Sequence, residues 1–331
     1  QWLSLPDIIS SLKIRGGYGE LGNQNIPNYA YQAFVNTNAS YVFNGVLAPG
    51  TTTVNVVDPS LKWETKVTSY VGMDVGLLNE KFTFSAEYYR NTNKDLLFPL
   101  PIPLTVGSFP SNVISNAATM RNSGFEFNLG YRNQVGKFKY NLNANMHTVK
   151  NEVLKLGDND DPIYGAGSKT EVGRSVGDIF VYRTAGLFNS QEDIAKHAQQ
   201  VNAAPGDVRF VDTNGDNVIN DLDRVYQGSA IPKYYFGFNA GAGYGNFDFS
   251  MFWQGHGGNK VVNGIYHDLM LGLYANYHTD YLNFWTPQNT NTNVPRPVIG
   301  DPNGNNRLSD RHVESGNYIR LQNFQLGYSI P

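Results

Sequence analysis

The sequence predicts an all-β protein whose antiparallel strands form a portion of a transmembrane β-barrel, with long loops and short helical patches. Segments with an apolar residue at every second position recur along the chain, and short turns alternate with long polar connections. No stretch approaches the ~18 uninterrupted apolar residues of a membrane helix, and the mean hydropathy is -0.38. Alternating strands suit a membrane because lipid tolerates only closed backbone hydrogen bonding. The alternation alone also fits a soluble sheet protein.

The composition of the 331-residue chain excludes several classes of protein. The net charge of -3 offers no basic surface for nucleic acid, and the lack of cysteine excludes disulfides, thiol catalysis and Cys-ligated zinc. The 21 Tyr and 19 Phe residues suit the aromatic girdles of a barrel, although an aromatic-rich secreted β-protein would share them. Neither end of the sequence resembles a natural terminus, so we expect a piece of a longer polypeptide.

Seven segments are predicted as strands from their period of two. In one of them Phe82, Phe84 and Ala86 alternate with Thr83 and Ser85, which places apolar side chains on one face. Short turns at 78–81, 133–136 and 245–246 join three pairs of segments into hairpins. In chain order the segments are Leu12–Leu21, Val67–Leu77, Phe82–Asn91, Ser123–Arg132, Lys137–Lys150, Lys233–Tyr244 and Phe247–Gln254.

Long polar connections separate these hairpins. Residues 22–60 form an Asn-rich loop, and 151–178, 186–232 and 255–316 are excursions too long for ordinary turns. Leu96–Pro110 is expected to be an extended rim segment, since Pro99, Pro101, Pro103 and Pro110 remove ladder donors. Short turns on one side and long loops on the other favour an outer-membrane barrel over a soluble sandwich.

Two helical patches are predicted within the excursions. Ser190 is a candidate N-cap for Gln191–Gln200, with Asp193 placed as in a capping box. Gly264–Trp285 carries an apolar stripe at helical spacing that includes Leu273, and we expect this stripe to serve packing rather than ligand binding.

One segment, residues 212–223, has the spacing of a calcium loop. Ca²⁺ prefers six to eight hard oxygen ligands, and oxygen side chains recur here at the required positions. Asn217 replaces the usual glycine and Asp223 the usual glutamate, while Ile219 would anchor the loop inward. An Asx-rich turn that binds nothing is the alternative. The predicted ligands are Asp212, Asn214, Asp216, the Val218 carbonyl, Asn220 and Asp223.

Other candidate sites are weaker. The six histidines, at 147, 197, 256, 267, 278 and 312, have no ligand spacing, and the acidic cluster Asp158, Asp160 and Asp161 is expected to be solvated. No nucleophile elbow or phosphate-binding glycine loop is present, and spacing alone assigns no pair of glycosidase carboxylates.

Several strings of residues resemble one family in the order in which that family carries them. They are Gly19–Ile26, Leu61–Thr65, Tyr88–Leu97, Asn116–Glu126, Pro205–Phe210 running into the calcium-type loop, and Gln254–Gly255 before Gly258–Lys260. Together they resemble the SusC/RagA family of TonB-dependent outer-membrane transporters. The strings extend across nearly the whole chain, and the chain is similar to the later part of that family's barrel.

The resemblance implies a barrel of roughly 22 strands, whose plug domain and final strands this sequence lacks. It implies import of glycans or peptides across a Gram-negative outer membrane, with a SusD-like surface lipoprotein as lid and with energy from the TonB complex through the absent N-terminal region. It places an insertion at 186–232, including the loop 212–223, on the extracellular side, and it implies no catalytic residue. Calcium would be structural.

Two other functions remain open from the sequence. A secreted, calcium-stabilised carbohydrate-binding β-protein would use the same strands around a closed core. A glycoside hydrolase would need two carboxylates in a cleft.

Overall fold

The computed structural model describes residues 6–26, 28–53, 55–107, 112–271 and 276–331, and its main feature is one nine-stranded antiparallel sheet. The strands are β1 (Ile9–Asn23), β2 (Glu64–Leu77), β3 (Phe82–Pro101), β4 (Asn112–Val135), β5 (Phe138–Thr148), β6 (Lys150–Leu156), β7 (Tyr234–Tyr244), β8 (Phe247–Gly257) and β9 (Tyr318–Tyr328). Each strand pairs with the next along the chain, except that β6 continues β5 after Val149 and pairs with the N-terminal half of β4.

The connections differ sharply between the two ends of the strands, which are here named the short-turn edge and the long-loop edge. Turns at 78–81, 136–137 and 245–246 close three hairpins at one edge. Residues 24–63, 102–111, 157–233 and 258–317 connect strands at the other edge. The predicted asymmetry and all seven predicted strands are confirmed, and most of the strands are longer than predicted.

The two faces of the sheet have opposite polarity. One row of residues that lie opposite each other on successive strands is apolar throughout. This row consists of Leu12, Val75, Phe84, Leu129, Ala144, Phe238, Trp253 and Leu321. The neighbouring row on the other face consists of Lys13, Asp74, Ser85, Asn128, Asn145, Gly237, Gln254 and Arg320. Because successive side chains alternate between faces, the period of two in the sequence produces this division.

The apolar face is not covered by another layer of the described chain. Leu12, Leu129 and Leu321 are 45%, 42% and 40% exposed, although each lies well inside its strand. The largest buried cluster lies instead in the long connections and consists of Tyr182, Leu187, Val208, Phe210, Ile219 and Trp285. A smaller cluster of Ala118, Val153 and Leu156 lies where β4 pairs with β6. An exposed apolar face of this extent needs an apolar environment outside the chain.

Short elements fill the connections. In the first connection, Val35–Asn36 pairs with Thr52–Thr53, and Tyr41–Phe43 pairs with Val46–Ala48. The later strands are Ile163–Gly165, Ser168–Thr170, Asp178–Tyr182, Thr184–Leu187, Val208–Phe210, Arg224–Gly228, Lys260–Val262 and Val313–Ser315. The α-helices are Gln191–Ala195 and Gly264–Leu271, and the 3₁₀ turns are Leu104–Val106, Asp221–Asp223, Thr279–Asn283 and Asp310–His312. None of the helices in the described part of the chain is long and apolar enough to cross a membrane.

The prediction of a rim loop from Leu96 onward was wrong for its first part, because β3 continues to Pro101. Pro99 lies opposite Ile114 in the β3–β4 ladder. The backbone N–H of Leu97 points toward β2 and donates to Glu64 Oε1 at 2.9 Å. The backbone nitrogens of Pro99 and Pro101 are on the same side of β3 as that of Leu97, and β2 has already ended there. The lack of an N–H group at these two prolines therefore removes no hydrogen bond between β2 and β3. Pro110 lies outside the described residues.

Two further boundaries were wrong. Residues 151–156 belong to the strand Lys150–Leu156 rather than to an excursion, since this strand completes the pairing of the long strand β4. The helix after Ser190 ends at Ala195 instead of Gln200, because the Gln199 backbone bonds to Asn217 and Ile219. The stripe at 264–285 is divided between the helix Gly264–Leu271 and a 3₁₀ turn, and Leu273 lies outside the described residues.

Candidate functional site

The polar face of the sheet forms an amide-rich wall near the short-turn edge. A hollow of about 830 Å³ lies against β4, β5, β7 and β8. Its polar lining includes Lys81, Arg132, Lys139, Asn141, Asn143 and Asn239. In a barrel this face would line the interior, where polar side chains meet water or a polar ligand.

The long connections 157–233 and 258–317, here named the loop layer, fold into one packed unit. Tyr182 contacts Phe210 with ring centroids 5.3 Å apart, and both belong to the buried cluster. Thr184 Oγ1 donates to Asp310 Oδ1 at 2.6 Å, which ties the two connections together. Burial and a hydrogen bond to Asp221 raise the pKa of Tyr182 to about 12, so this hydroxyl stays protonated as a donor.

A fully buried carboxylate, Asp207, organises the loop layer. Arg296 donates to it twice, from Nε to Oδ1 at 2.7 Å and from Nη2 to Oδ2 at 3.0 Å. The Asn305 side chain and the Ala204 backbone N–H also donate to the carboxylate. A buried charge is tolerated when it is paired and hydrogen-bonded in this way. The network joins residues about ninety positions apart and positions the loops relative to each other.

The calcium-type segment 212–223 is a tight turn at the surface of the loop layer. Ile219 is 3% exposed and packs into the buried cluster, which confirms its predicted inward position. Asn217 adopts a φ of 63°, the left-handed conformation that its place in the loop demands. The backbone N–H of Ile219 donates to Gln199, which anchors the turn.

The oxygens of the turn already accept backbone hydrogen bonds. Asp212 accepts from Gly215 and Asn217, Asn214 from Asp216, Asp216 from Val218, Asn220 from Leu222, and Asp223 from Thr213 and Asn220. The bond from the Val218 backbone lowers the pKa of Asp216. Within the described ranges, no three His, Cys, Asp or Glu side chains are grouped to hold a metal. Each carboxylate oxygen keeps a second lone pair, so the donor set fits a hard cation in kind.

Two histidines lie together inside the loop layer. The His267 and His312 rings meet edge to face with centroids 4.9 Å apart, and His312 is 4% exposed. Burial, with His267 and Arg311 nearby, lowers the pKa of His312 to about 4. His312 Nδ1 accepts from the Ser309 backbone, which suits a neutral ring.

Sequence reasoning missed the Asp207–Arg296–Asn305 network. Its members lie in different connections, and no spacing relates a carboxylate to partners so distant along the chain. The sequence offered no signal for the network, because the burial of Asn303 and Asn305 and the hydrogen bond between them are properties of the tertiary structure.

An open antiparallel sheet with one uncovered apolar face and one polar face is a sector of a β-barrel wall. A profile of the family described as "TonB dependent receptor-like, beta-barrel" matches residues 2–331, and the chain belongs to this family. Relatives include TonB-dependent receptor P3 of Formosa agariphila, 32% identical over 100% of this chain and 33% of its own length. TonB-dependent receptor SusC of Bacteroides thetaiotaomicron is 28% identical over 98% of this chain and 32% of its own.

Solved structures show the same fold. The structure of the RagAB peptide transporter superposes with a TM-score of 0.79 and 23% identity, covering 100% of this chain and 36% of that chain. The RagAB peptide importer in the "closed-closed" state superposes with a TM-score of 0.77. The chain thus spans about a third of the length of the curated relatives it matches.

Proposed function

We propose that this chain forms part of the wall of an outer-membrane importer of the SusC type that takes up glycans or peptides. The observation that carries the proposal is the division of the sheet into an uncovered apolar face and a polar face. The apolar side chains would face acyl chains, and the amide-rich face would line the passage. The names of the relatives, SusC and a peptide transporter, support nutrient import.

The proposal includes partners and an orientation. A SusD-like lipoprotein would cover the long-loop edge, which would be extracellular and would include the segment 186–232. This chain aligns with about a third of the length of its relatives. The TonB complex would act through a part of the full-length protein that corresponds to the remaining two thirds. Short turns at the opposite edge suit the periplasmic side of a barrel.

The alternative of a secreted carbohydrate-binding β-protein has less support. Such a protein would enclose the Phe and Leu side chains of the strands in a core, whereas Phe125 and Phe324 are 50% and 63% exposed. We propose no catalytic step, since transport would be driven through TonB and the sequence assigns no catalytic constellation.

The function is tested in a bacterium that encodes the full-length protein. We expect the protein in the outer-membrane fraction and uptake of a labelled glycan or peptide panel that is lost on deletion of the gene or of tonB. A protonophore should stop uptake but leave binding at the cell surface. A soluble protein, or uptake that survives loss of tonB, would refute the importer.

We also propose that the turn 212–223 binds Ca²⁺ and thereby stiffens the loop layer. Its donor chemistry and the left-handed Asn217 support this assignment. Calorimetric titration of CaCl₂ should give heat with the full-length protein and none with Asp216→Ala, while Asp161→Ala in the other acidic loop should resemble wild type. Equal heats for wild type and Asp216→Ala would refute calcium binding at this turn.

A further inference from the structure

One register row on the polar face differs from the amide-rich rows below it. The row consists of Arg15, Gly72, Glu87, Glu126, His147, Tyr235, His256 and Tyr318. On β5 and β9 the row lies near the long-loop end, since His147 is next to the last residue of β5 and Tyr318 begins β9. Aromatic and ionisable groups are therefore collected in one register row of the wall.

The rings of this row form a continuous track, joined by Tyr89 from the next polar-face row toward the long-loop edge. Tyr89 and His147 are stacked, with centroids 5.2 Å apart and an interplanar angle of 10°. The centroid distances are 6.1 Å from His147 to Tyr235, 5.5 Å from Tyr235 to His256 and 4.4 Å from His256 to Tyr318. Five rings on five strands thus touch in sequence, and Tyr235 and Tyr318 are each 40% exposed.

Charged side chains lie at both ends of the track. Arg15 bonds to Glu87 and also approaches Asp74, with 3.2 Å between Nε and Oδ2. Glu126 Oε1 lies 3.0 Å from His147 Nδ1. Arg15 is thus outnumbered by three carboxylates, whereas at the other end of the track the Arg320 guanidinium lies 5.4 Å from the Tyr318 ring centroid, so the track presents no single sign of charge to a ligand.

Polar acceptors line a hollow at the same level. A space of about 350 Å³ is bounded by Thr68, Glu87, Tyr89, Asn91, Glu126 and His147, among others. The side chains of Asn91 and Asn122 contribute amide groups to this lining. The site therefore combines ring faces with hydrogen-bonding groups at their edges.

We propose that this ring track binds a neutral oligosaccharide during import. A pyranose presents a face of C–H groups that packs on an aromatic ring and a rim of hydroxyls that bond to carboxylates and amides. Carboxylates at one end of the track and a guanidinium at the other offer no uniform attraction to an ionic ligand, and no aliphatic side chain belongs to the row. The inference rests on the proposed function and selects glycans over peptides as the cargo at this level.

The test uses the full-length transporter in detergent, with two probe panels. The first contains labelled neutral oligosaccharides of four to ten units from α-glucan, β-glucan, mannan, xylan, galactan and fructan, and the second is a library of short peptides. We expect binding of at least one oligosaccharide, weakened about tenfold or more in Tyr235→Ala/Tyr318→Ala. Tyr235→Phe/Tyr318→Phe should bind within about twofold of wild type, because the rings remain.

A matched control replaces tyrosines that lie on the apolar face. Tyr244→Ala/Tyr328→Ala removes rings that are 60% and 53% exposed there, and should leave glycan binding unchanged. The heat-modifiable mobility of each variant on a gel verifies that the barrel is folded.

The outcomes separate this inference from the importer itself. Glycan binding that survives loss of both rings would refute binding at the ring track but would not contradict glycan import. Binding of peptides alone overturns the choice of cargo while the importer stands. If Tyr235→Ala/Tyr318→Ala leaves glycan binding unchanged but makes cells sensitive to a large antibiotic, the barrel has become leaky. That result would mean that the row contacts the plug domain instead of a glycan. Binding of neither panel refutes the track together with the proposed cargo.

Discussion

The assignment of the two faces predicts opposite effects for the same substitution at neighbouring positions. Leu129 belongs to the apolar row and lies opposite Phe84 and Ala144. Asn128 precedes it in β4 and lies opposite Ser85 and Asn145 on the polar face. Leu129→Arg and Asn128→Arg therefore place one positive charge at the same depth on opposite faces.

The magnitude follows from the position of Leu129 in its strand. It lies six residues (135 minus 129) before Val135, the last residue of β4 at the short-turn edge, or about 20 Å along the strand. A tilt of about 40° converts this to about 15 Å of height, close to the middle of a ~25 Å apolar band. An arginine there costs about 2–4 kcal/mol, whereas lumen-facing positions tolerate charge.

The assay is folding of the full-length protein into lipid vesicles across a urea series, followed by heat-modifiable mobility. Leu129→Arg should lower the free energy of unfolding by that amount, and Asn128→Arg should change it by less than about 1 kcal/mol. Equal destabilisation by both variants, or a larger effect of Asn128→Arg, would refute the assignment of faces.

Three further predictions concern the loop layer and the strand pairing. Because the folded pKa of His312 is lowered from 6.5 to about 4, its stabilising contribution is complete above about pH 6.5 and falls as the pH drops toward 4. The loss is about 3 kcal/mol, measurable as a fall in the free energy of urea unfolding of the loop layer between pH 7 and pH 4, and a free energy that does not change with pH would contradict it. Asp207→Asn leaves Arg296 without its counter-charge and should destabilise the loop layer by about 3 kcal/mol. Asp158→Asn, which alters an exposed 3.9 Å pair with Lys155, is the silent control, and equal protease resistance of both variants would count against the network. Gly124→Ala should impair barrel folding because its Cβ would collide with the Thr148 carbonyl, whereas Gly19→Ala meets no atom within 4 Å and should fold normally; normal folding of both would be the contrary result.

The sequence was sufficient for the strands and for their two faces. A period of two is a local property, so Phe82–Ala86 could be assigned to a sheet without knowledge of its neighbours. The turn 212–223 was likewise readable because the hydrogen bonds between its own residues join positions at most ten apart. Calcium binding by this turn stays a prediction.

Strand ends and long-range contacts could not be read in the same way. Pro99 and Pro101 predict a loop on local grounds, and they are tolerated in β3 only because β2 has already ended beside them. The ring track from Tyr89 to Tyr318 depends on the register of five strands, which turn lengths and irregularities such as that between Phe252 and Trp253 set together. Asp207 and Arg296 meet across eighty-nine positions, a contact that arises when two connections fold against each other. Periodicity along one strand carries no information about which residue lies opposite, and that pairing decides what the polar face can bind.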